Sequence, residues 1–331
     1  MSRASAPLAA RIPWPVFTRQ EAIAAGVHPE RLRRSDLVRL RRGLYALAGH
    51  VVTELDIALA LCRSDRRAVI VGLSAARLHG MPLPHPHDTR SRPVQVSLPE
   101  GRRGSDRVIT WRKLAFPSDD IEHRRVQAPF PGGGTDPGRA AVLRLTSRAR
   151  TWRDLAGSVE LDRLVSIGDS LVRQPRPGLE AGRTAPWCTV DDLRAQGTGR
   201  YAPVLQRAAD LVRVGADSPM ETVLRLAFAR AGLPAPQLNV PLVGADGTTL
   251  HTPDFQWAEY RVCAEYDGRV HNDPEQVARD IRRARRAAEG GWTEVRLHHG
   301  DLGPRCEGAV REVRAQLVNA GWSGAQRAAA G

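Results

Sequence analysis

The stretch from Thr252 to His271, TPDFQWAEYRVCAEYDGRVH, constrains this chain most, because it sets Asp254, Glu265, Asp267 and a histidine around two short apolar runs. Phe255 to Trp257 and Tyr260 to Tyr266 are rich in aromatic and β-branched residues, which predicts two adjacent strands with Ala258 and Glu259 near the turn. Asp254 then sits at the mouth of the first strand. Glu265 and Asp267 stand two apart on the second and leave one face of it, while Ala264 and Tyr266 face the other way. Gly268 ends the run and lets the backbone turn. Carboxylates gathered on one sheet face repel each other and lose hydration, so they need a cation or a raised pKa to coexist. A hard divalent ion such as Mg²⁺ (or Mn²⁺) meets that need with oxygen ligands, and would activate water and polarise a phosphodiester.

The order PD, about ten residues, then E-x-D-G-x-x-H resembles the very-short-patch-repair-like branch of the PD-(D/E)XK nuclease superfamily. Within it, the stretch resembles specifically the small C-terminal domains of actinobacterial proteins that carry an AbiEi-like antitoxin region in front. The resemblance covers roughly residues 217–317. It implies Glu221 as the acid of the first helix, Asp254 as the central metal ligand and Glu265 as the acid of the following strand. Asp267 and His271 match the D-G-x-x-H that follows. One departure stands out: Asp267 occupies the place where the superfamily usually has lysine, and Lys113 is the only lysine in the chain. The repair-nuclease branch is similar in using histidine there instead.

The same resemblance extends past His271. Asp273-Pro274 starts a helix in which Arg279, Arg282, Arg283 and Arg286 recur at three- and four-residue steps and share a face. Asp280 and Arg283 match the family's acid and arginine, and Trp292 to Arg296 resembles its "GWxVxR". The implied activity is metal-dependent hydrolysis of DNA phosphodiester bonds. Asp254 and Glu265 would hold Mg²⁺, Glu221 or Asp267 would support a water or second ion, and His271 would relay a proton. Arg279, Arg283 and Arg296 would clamp phosphate, with Asp280 orienting His271 or anchoring Arg283. Against phosphate gripping stands the plainer role of a solvated helix face.

At 331 residues and 42% hydrophobic, the chain is long enough for two or more cores. Its formal charge of +13 is nearly all arginine, whose fork grips phosphate bidentately and suits a polyanionic partner, double-stranded DNA above all. The arginine and alanine bias of a GC-rich genome would produce the same excess. No run of apolar residues suits a membrane span, and Met1 to Arg11 lacks the apolar stretch of a secretory signal, so a cytoplasmic location is expected. Cys62, Cys188, Cys263 and Cys306 are scattered without the paired spacing of a zinc site and are expected to be reduced and partly buried.

Ahead of the acid-rich stretch, Thr18 and Glu21 have the form of a capping box for a helix over Arg19 to Ala25. His28 to Arg34 predicts a second helix, and RRGLYALAG (Arg41 to Gly49) a basic wing. This order resembles the winged-helix segment of the AbiEi group. The second helix would read the groove while Arg31, Arg33, Arg34, Arg39, Arg41 and Arg42 met phosphates; a solvated face is the alternative. His79 is expected to be structural, the glycine-rich PFPGGGTDPG a flexible linkage, and Asp154 and Asp169 helix-solubilising or capping residues. Gln237 to Val243 should form a strand.

The fold class expected is therefore α+β or mixed α/β and multidomain. A winged-helix-like region (12–50) precedes a middle region of helices and small sheet (51–214), a restriction-endonuclease-like α/β domain (215–320) and a disordered tail (321–331). Two other kinds of function remain open beside the nuclease: a DNA-binding regulator or antitoxin that uses the nuclease fold as scaffold, and an interaction protein with a protein partner.

Overall fold

Three threonines show how the helices begin. Thr18, Thr53 and Thr189 each accept a hydrogen bond from the backbone three residues on, and Glu21, Asp56 and Asp192 reach back to complete capping boxes. Each box satisfies two otherwise unpaired N–H groups of a first turn. The computed structural model describes residues 8–87, 93–101, 104–129, 135–176, 180, 182–244, 246–268 and 274–324. The chain divides into two compact units, Met1–Val159 and Glu160–Gly331.

The first unit opens with α1 (Leu8–Arg11), β1 (Val16–Thr18) and α2 (Arg19–Ala24), then β2 (Leu37–Arg41) and β3 (Leu44–Leu47). These strands form an antiparallel sheet in the order β1-β3-β2. Arg41 pairs with Leu44, so Arg42 and Gly43 make the whole turn, and Gly43 takes the left-handed φ of 84° that such a turn needs. Between α2 and β2 the expected second helix is a five-residue 3-10 turn, Pro29–Arg33. Leu32 is its one buried residue, too little apolar surface to hold a longer amphipathic helix. Beyond it the Arg31–Asp36 ion pair and the Leu37 N–H bond to the Arg34 carbonyl turn the chain straight into β2.

Next come α3 (Glu54–Ser64), β4 (Val69–Ile70), α4 (Gly72–Leu78), β5 (Val94–Leu98), β6 (Ile109–Lys113), β7 (Ile121–Pro129), β8 (Thr135–Thr146) and α5 (Arg148–Asp154). The strands form a mixed sheet in the order β6-β5-β4-β8-β7. Since β7 and β8 pair out to Pro129 and Thr135, the glycine-rich stretch joins two strands of one hairpin rather than linking separate regions; residues 130–134 lie outside the described set. His79 is structural: its side chain is fully buried and Nε2 lies 2.8 Å from the Thr146 carbonyl oxygen.

The second unit begins with α6 (Leu161–Val172), α7 (Val190–Ala195) and α8 (Ala202–Leu211), followed by α9 (Pro219–Arg230), β9 (Gln237–Leu238), β10 (Phe255–Trp257), β11 (Val262–Asp267), α10 (Pro274–Glu289), β12 (Thr293–His298) and α11 (Glu307–Asn319). The sheet order is β12-β11-β10-β9, with β11 and β12 parallel and the other neighbours antiparallel. Leu224, Ala227 and Phe228 of α9 and Ala309, Val313 and Leu317 of α11 cover one face of the sheet, against Phe255, Trp257, Val262, Ala264, Val295 and Leu297. Ala287 of α10 packs on Cys263 on the other face. The helices α6 to α8, expected to belong to a middle region, fall within this unit. Asp169 of α6 is no solubilising residue: it is buried and accepts hydrogen bonds from Arg213 N, Thr222 Oγ1 and Arg225 Nη2, each at 2.7 to 2.8 Å.

The strand expected over 237–243 is only two residues long, apart from a bridge between Val243 and Thr249. Asn239 adopts a left-handed φ of 52°, and Pro241 has no N–H to give a ladder. The tail expected to be disordered from 321 instead starts with Trp322 buried in the core beside α9 and α11, and residues 325–331 lie outside the described set. No helix among the described residues is long and apolar enough to cross a membrane.

Candidate acidic and metal-binding site

The first acid comes from a helix start. Ser218 caps α9, accepting from Glu221 N at 3.2 Å, and Pro219 fills the first turn where its missing N–H costs nothing. Glu221 is thereby fixed at the helix mouth, only 4% exposed, where its Oε2 accepts from Asp217 N at 2.8 Å and Asn239 Nδ2 at 2.7 Å. Burial, then the nearby charge of Asp254, pushes its carboxyl up to about 7.

Asp254 and Glu265 come from the sheet. Phe255 pairs with Ala264 across β10 and β11, so Asp254, one residue before β10, faces Glu265 across the continuation of that ladder. Asp254 Oδ2 accepts from Tyr266 N at 2.8 Å, and burial raises the carboxyl above the ordinary aspartate range. Glu265 is also pushed up to about 7 by burial, with Glu294 and Asp254 adding to the rise and Arg283 opposing it. The three acids therefore converge from a helix start, a strand mouth and a mid-strand position. Burial and their neighbouring charges disfavour ionising all three together, and Arg283 offsets this at Glu265.

Arg283 of α10 reaches down to Glu265 in a close ion pair of Nη2 with Oε2. Along this helix Arg283 is half-buried, whereas Arg282 and Arg286 are exposed. Arg296, opposite Glu265 in the parallel register, spends its Nε on Glu294 Oε1 at 3.0 Å. Asp267 is half-buried at the outer end of β11, opposite His298. His271 lies outside the described residues, as do the side chains of Arg279 and Asp280.

A second set of donors adjoins the first. His251, Cys263 and Glu294 bring one ligand atom each to within 4.8 Å of one another and could together hold a divalent metal ion. Cys263 lies two residues before Glu265 on the same strand face, and Glu294 is opposite Cys263 in β12. His251 Nε2 stands 3.5 Å from Glu294 Oε2 and 4.0 Å from Glu265 Oε1. Sequence reasoning missed His251 and Glu294, since residues 251, 263 and 294 have no short ligand spacing. Strand pairing brings Glu294 to Cys263, and His251 comes from the segment ahead of β10. All four cysteines are free and buried, as expected.

In the first unit the expected phosphate contacts divide. Arg31 is engaged with Asp36, and Arg41 with Asp106 at 3.1 Å and the Gly104 carbonyl at 3.0 Å. Arg33, Arg34, Arg39 and Arg42 are exposed. Arg33, Arg34 and Arg39 line a concave surface of about 460 Å³ with Arg19 and Tyr45.

No family model matches the chain. It is 38% identical over 138 residues to uncharacterised proteins from two strains of Mycobacterium tuberculosis, a stretch covering 40% of this chain and 51% of each relative. The chain thus spans about half the length of the curated relatives it matches.

Proposed function

We propose that the segment 215–320 is a restriction-endonuclease-like domain of the PD-(D/E)XK type, and that the chain is a Mg²⁺-dependent DNA endonuclease whose region 12–50 binds DNA as an AbiEi-like winged helix. The observation that carries this reading is one acidic surface fed by α9, the mouth of β10 and β11, in a unit ordered helix, three antiparallel strands, helix, parallel strand. The oxygen donors suit a hard cation, and a bound ion would favour the ionised forms that burial disfavours. Asp254 and Glu265, with Glu221 beside them, would hold the ion, which supplies Lewis-acid polarisation of a phosphodiester and a more acidic water. Glu221 Oε2 is occupied by two N–H donors, so Oε1 is the oxygen to accept a proton. Arg283 and Arg296 sit beside Glu265 and Glu294, where exchanging a carboxylate for a substrate phosphate keeps each guanidinium paired.

The test is to incubate the full chain with labelled single-stranded, double-stranded and mismatched DNA and with RNA, in Mg²⁺ or Mn²⁺. Cleavage of duplex DNA that vanishes in Asp254→Asn and Glu265→Gln is expected. If wild type and both variants behave alike on every substrate, catalysis by this site is excluded.

One observation favours a second reading, a non-catalytic DNA-binding regulator or toxin–antitoxin component built on the same fold. Glu265 already has a cationic partner in Arg283, and Asp267 stands where a catalytic lysine is usual. That reading requires duplex binding without turnover, weakened by Arg34→Ala or Arg39→Ala and falling steeply with salt.

A further inference from the structure

We propose that His251, Cys263 and Glu294 form a second metal site, adjoining the acidic cluster at Glu265, for a borderline transition-metal ion of the Zn²⁺ class. The three side chains are nearly withdrawn from solvent: that of His251 is 9% exposed, that of Glu294 5%, and Cys263 is fully buried. Neither ring nitrogen of His251 nor Oε2 of Glu294 has a hydrogen-bond partner among the described residues. Buried polar atoms left unpaired are costly and rare, and a nitrogen of His251 and an oxygen of Glu294 within 4.8 Å of the Cys263 thiol mark the place of something that binds.

The chemistry of the donors selects the ion. A thiolate and an imidazole are poor ligands for Mg²⁺, whereas one sulfur, one nitrogen and a carboxylate oxygen are a common Zn²⁺ set. Zinc bonds of about 2.0 Å to nitrogen or oxygen and about 2.3 Å to sulfur put tetrahedral donors roughly 3.3 to 3.8 Å apart. The 3.5 Å between His251 Nε2 and Glu294 Oε2 already meets that spacing. Glu265 Oε1, 4.0 Å from His251 Nε2, is the nearest candidate for a fourth donor. Arg296 holds Glu294 by Oε1 and leaves Oε2 turned to the imidazole, the kind of outer contact that aims a ligand. The net negative charge left by two carboxylates and a thiolate around a divalent ion is met by Arg283, Arg286 and Arg296, all of which act on His251. Binding displaces the thiol proton to solvent.

The proposal does not rest on the nuclease reading, and its test does not use cleavage. Full-length protein stripped with EDTA is titrated with Co²⁺ in excess Mg²⁺ and followed by absorption. One equivalent of Co²⁺ is expected to produce a thiolate-to-cobalt charge-transfer band in the near ultraviolet. Zn²⁺ should abolish it stoichiometrically while further Mg²⁺ does not. Cys263→Ser should lose the band with its circular dichroism unchanged. Glu294→Gln keeps the thiol and should weaken Co²⁺ binding at least about tenfold with the band retained at saturation. Asp254→Asn, in the neighbouring cluster, should leave the titration in place. Folded wild type that shows no band, or a band that persists in Cys263→Ser, overturns the site. In either case the three residues are only a buried polar contact.

Discussion

On one face of the C-terminal sheet, Phe255, Trp257, Val262, Ala264, Val295 and Leu297 close against α9 and α11, with the Phe228 ring edge-on to Phe255 at 5.4 Å and to Trp257 at 5.7 Å. On the other face the intervening residues of the same strands, Cys263, Glu265, Glu294 and Arg296, bring charge and ligand atoms together beneath α10. The difference arises from a two-residue period alone. Its lesson is a division of labour: cohesion resides on the aromatic face, which leaves the opposite face able to carry mutually repelling carboxylates. Functional sites are where such local unfavourable arrangements are tolerated.

Substitutions that attack one face and spare the other put this division to the test. Phe255→Ala, on the aromatic face, should have the largest effect, lowering the unfolding free energy by about 3–5 kcal/mol in urea denaturation, whereas Glu265→Gln should not destabilise the metal-free protein. A cost for Glu265→Gln as large as that for Phe255→Ala would show that the polar face also holds the sheet together.

Acidity is the next lever. Glu221 and Glu265 are both pushed up to about 7, against about 4.3 for an unfolded glutamate. Between those values the folded chain keeps protons that the unfolded chain releases. Their contribution to stability is therefore greatest below about pH 4.3, declines up to about pH 7 and is level beyond it. At about 1.4 kcal/mol per pKa unit, each carboxyl accounts for up to roughly 4 kcal/mol. His79, lowered to about 4 in the other unit, works in the opposite sense over part of that range. The measurement is therefore the difference between wild type and Glu221→Gln in EDTA across a pH series. The variant should lose less stability on going from pH 5 to pH 7, and parallel profiles would refute the assignment.

Divalent cation should act more gently. Mg²⁺ at about a hundred times its dissociation constant adds about 2.7 kcal/mol by mass action, read as a rise in melting temperature that Asp254→Asn abolishes. The smallest effect belongs to the cap that sets the first acid in place. Ser218→Ala should cost about 1 kcal/mol and leave the aromatic face intact, measured by thermal denaturation.

How far the sequence foretold this arrangement depends on how local each constraint is. Glu221, Asp254 and Glu265 were legible because a helix-start signal and two short strands fix them within their own segments, and Arg283 because its helix follows directly. Glu294 was hidden because its meeting with Cys263 depends on a parallel pairing made across α10, and His251 because it lies in an irregular segment ahead of β10. Asp169 looked like a polar residue on a helix surface because its partners, Arg213, Thr222 and Arg225, lie more than forty residues on. The short turn at Pro29–Arg33 replaced an expected helix for a local reason that propensity underweights: a single apolar anchor, Leu32, and an early ion pair between Arg31 and Asp36.

Asn239 ties two of the acids together. Its N–H bonds the Asp254 carbonyl oxygen at 3.1 Å while its side-chain amide donates to Glu221 Oε2, all from a left-handed backbone. Glycine would tolerate that backbone but has no amide to offer, and glutamine has the amide but resists the backbone. One asparagine thus works as a gauge block that sets the gap between helix and strand, and drift at position 239 would detune the pair of acids without touching either.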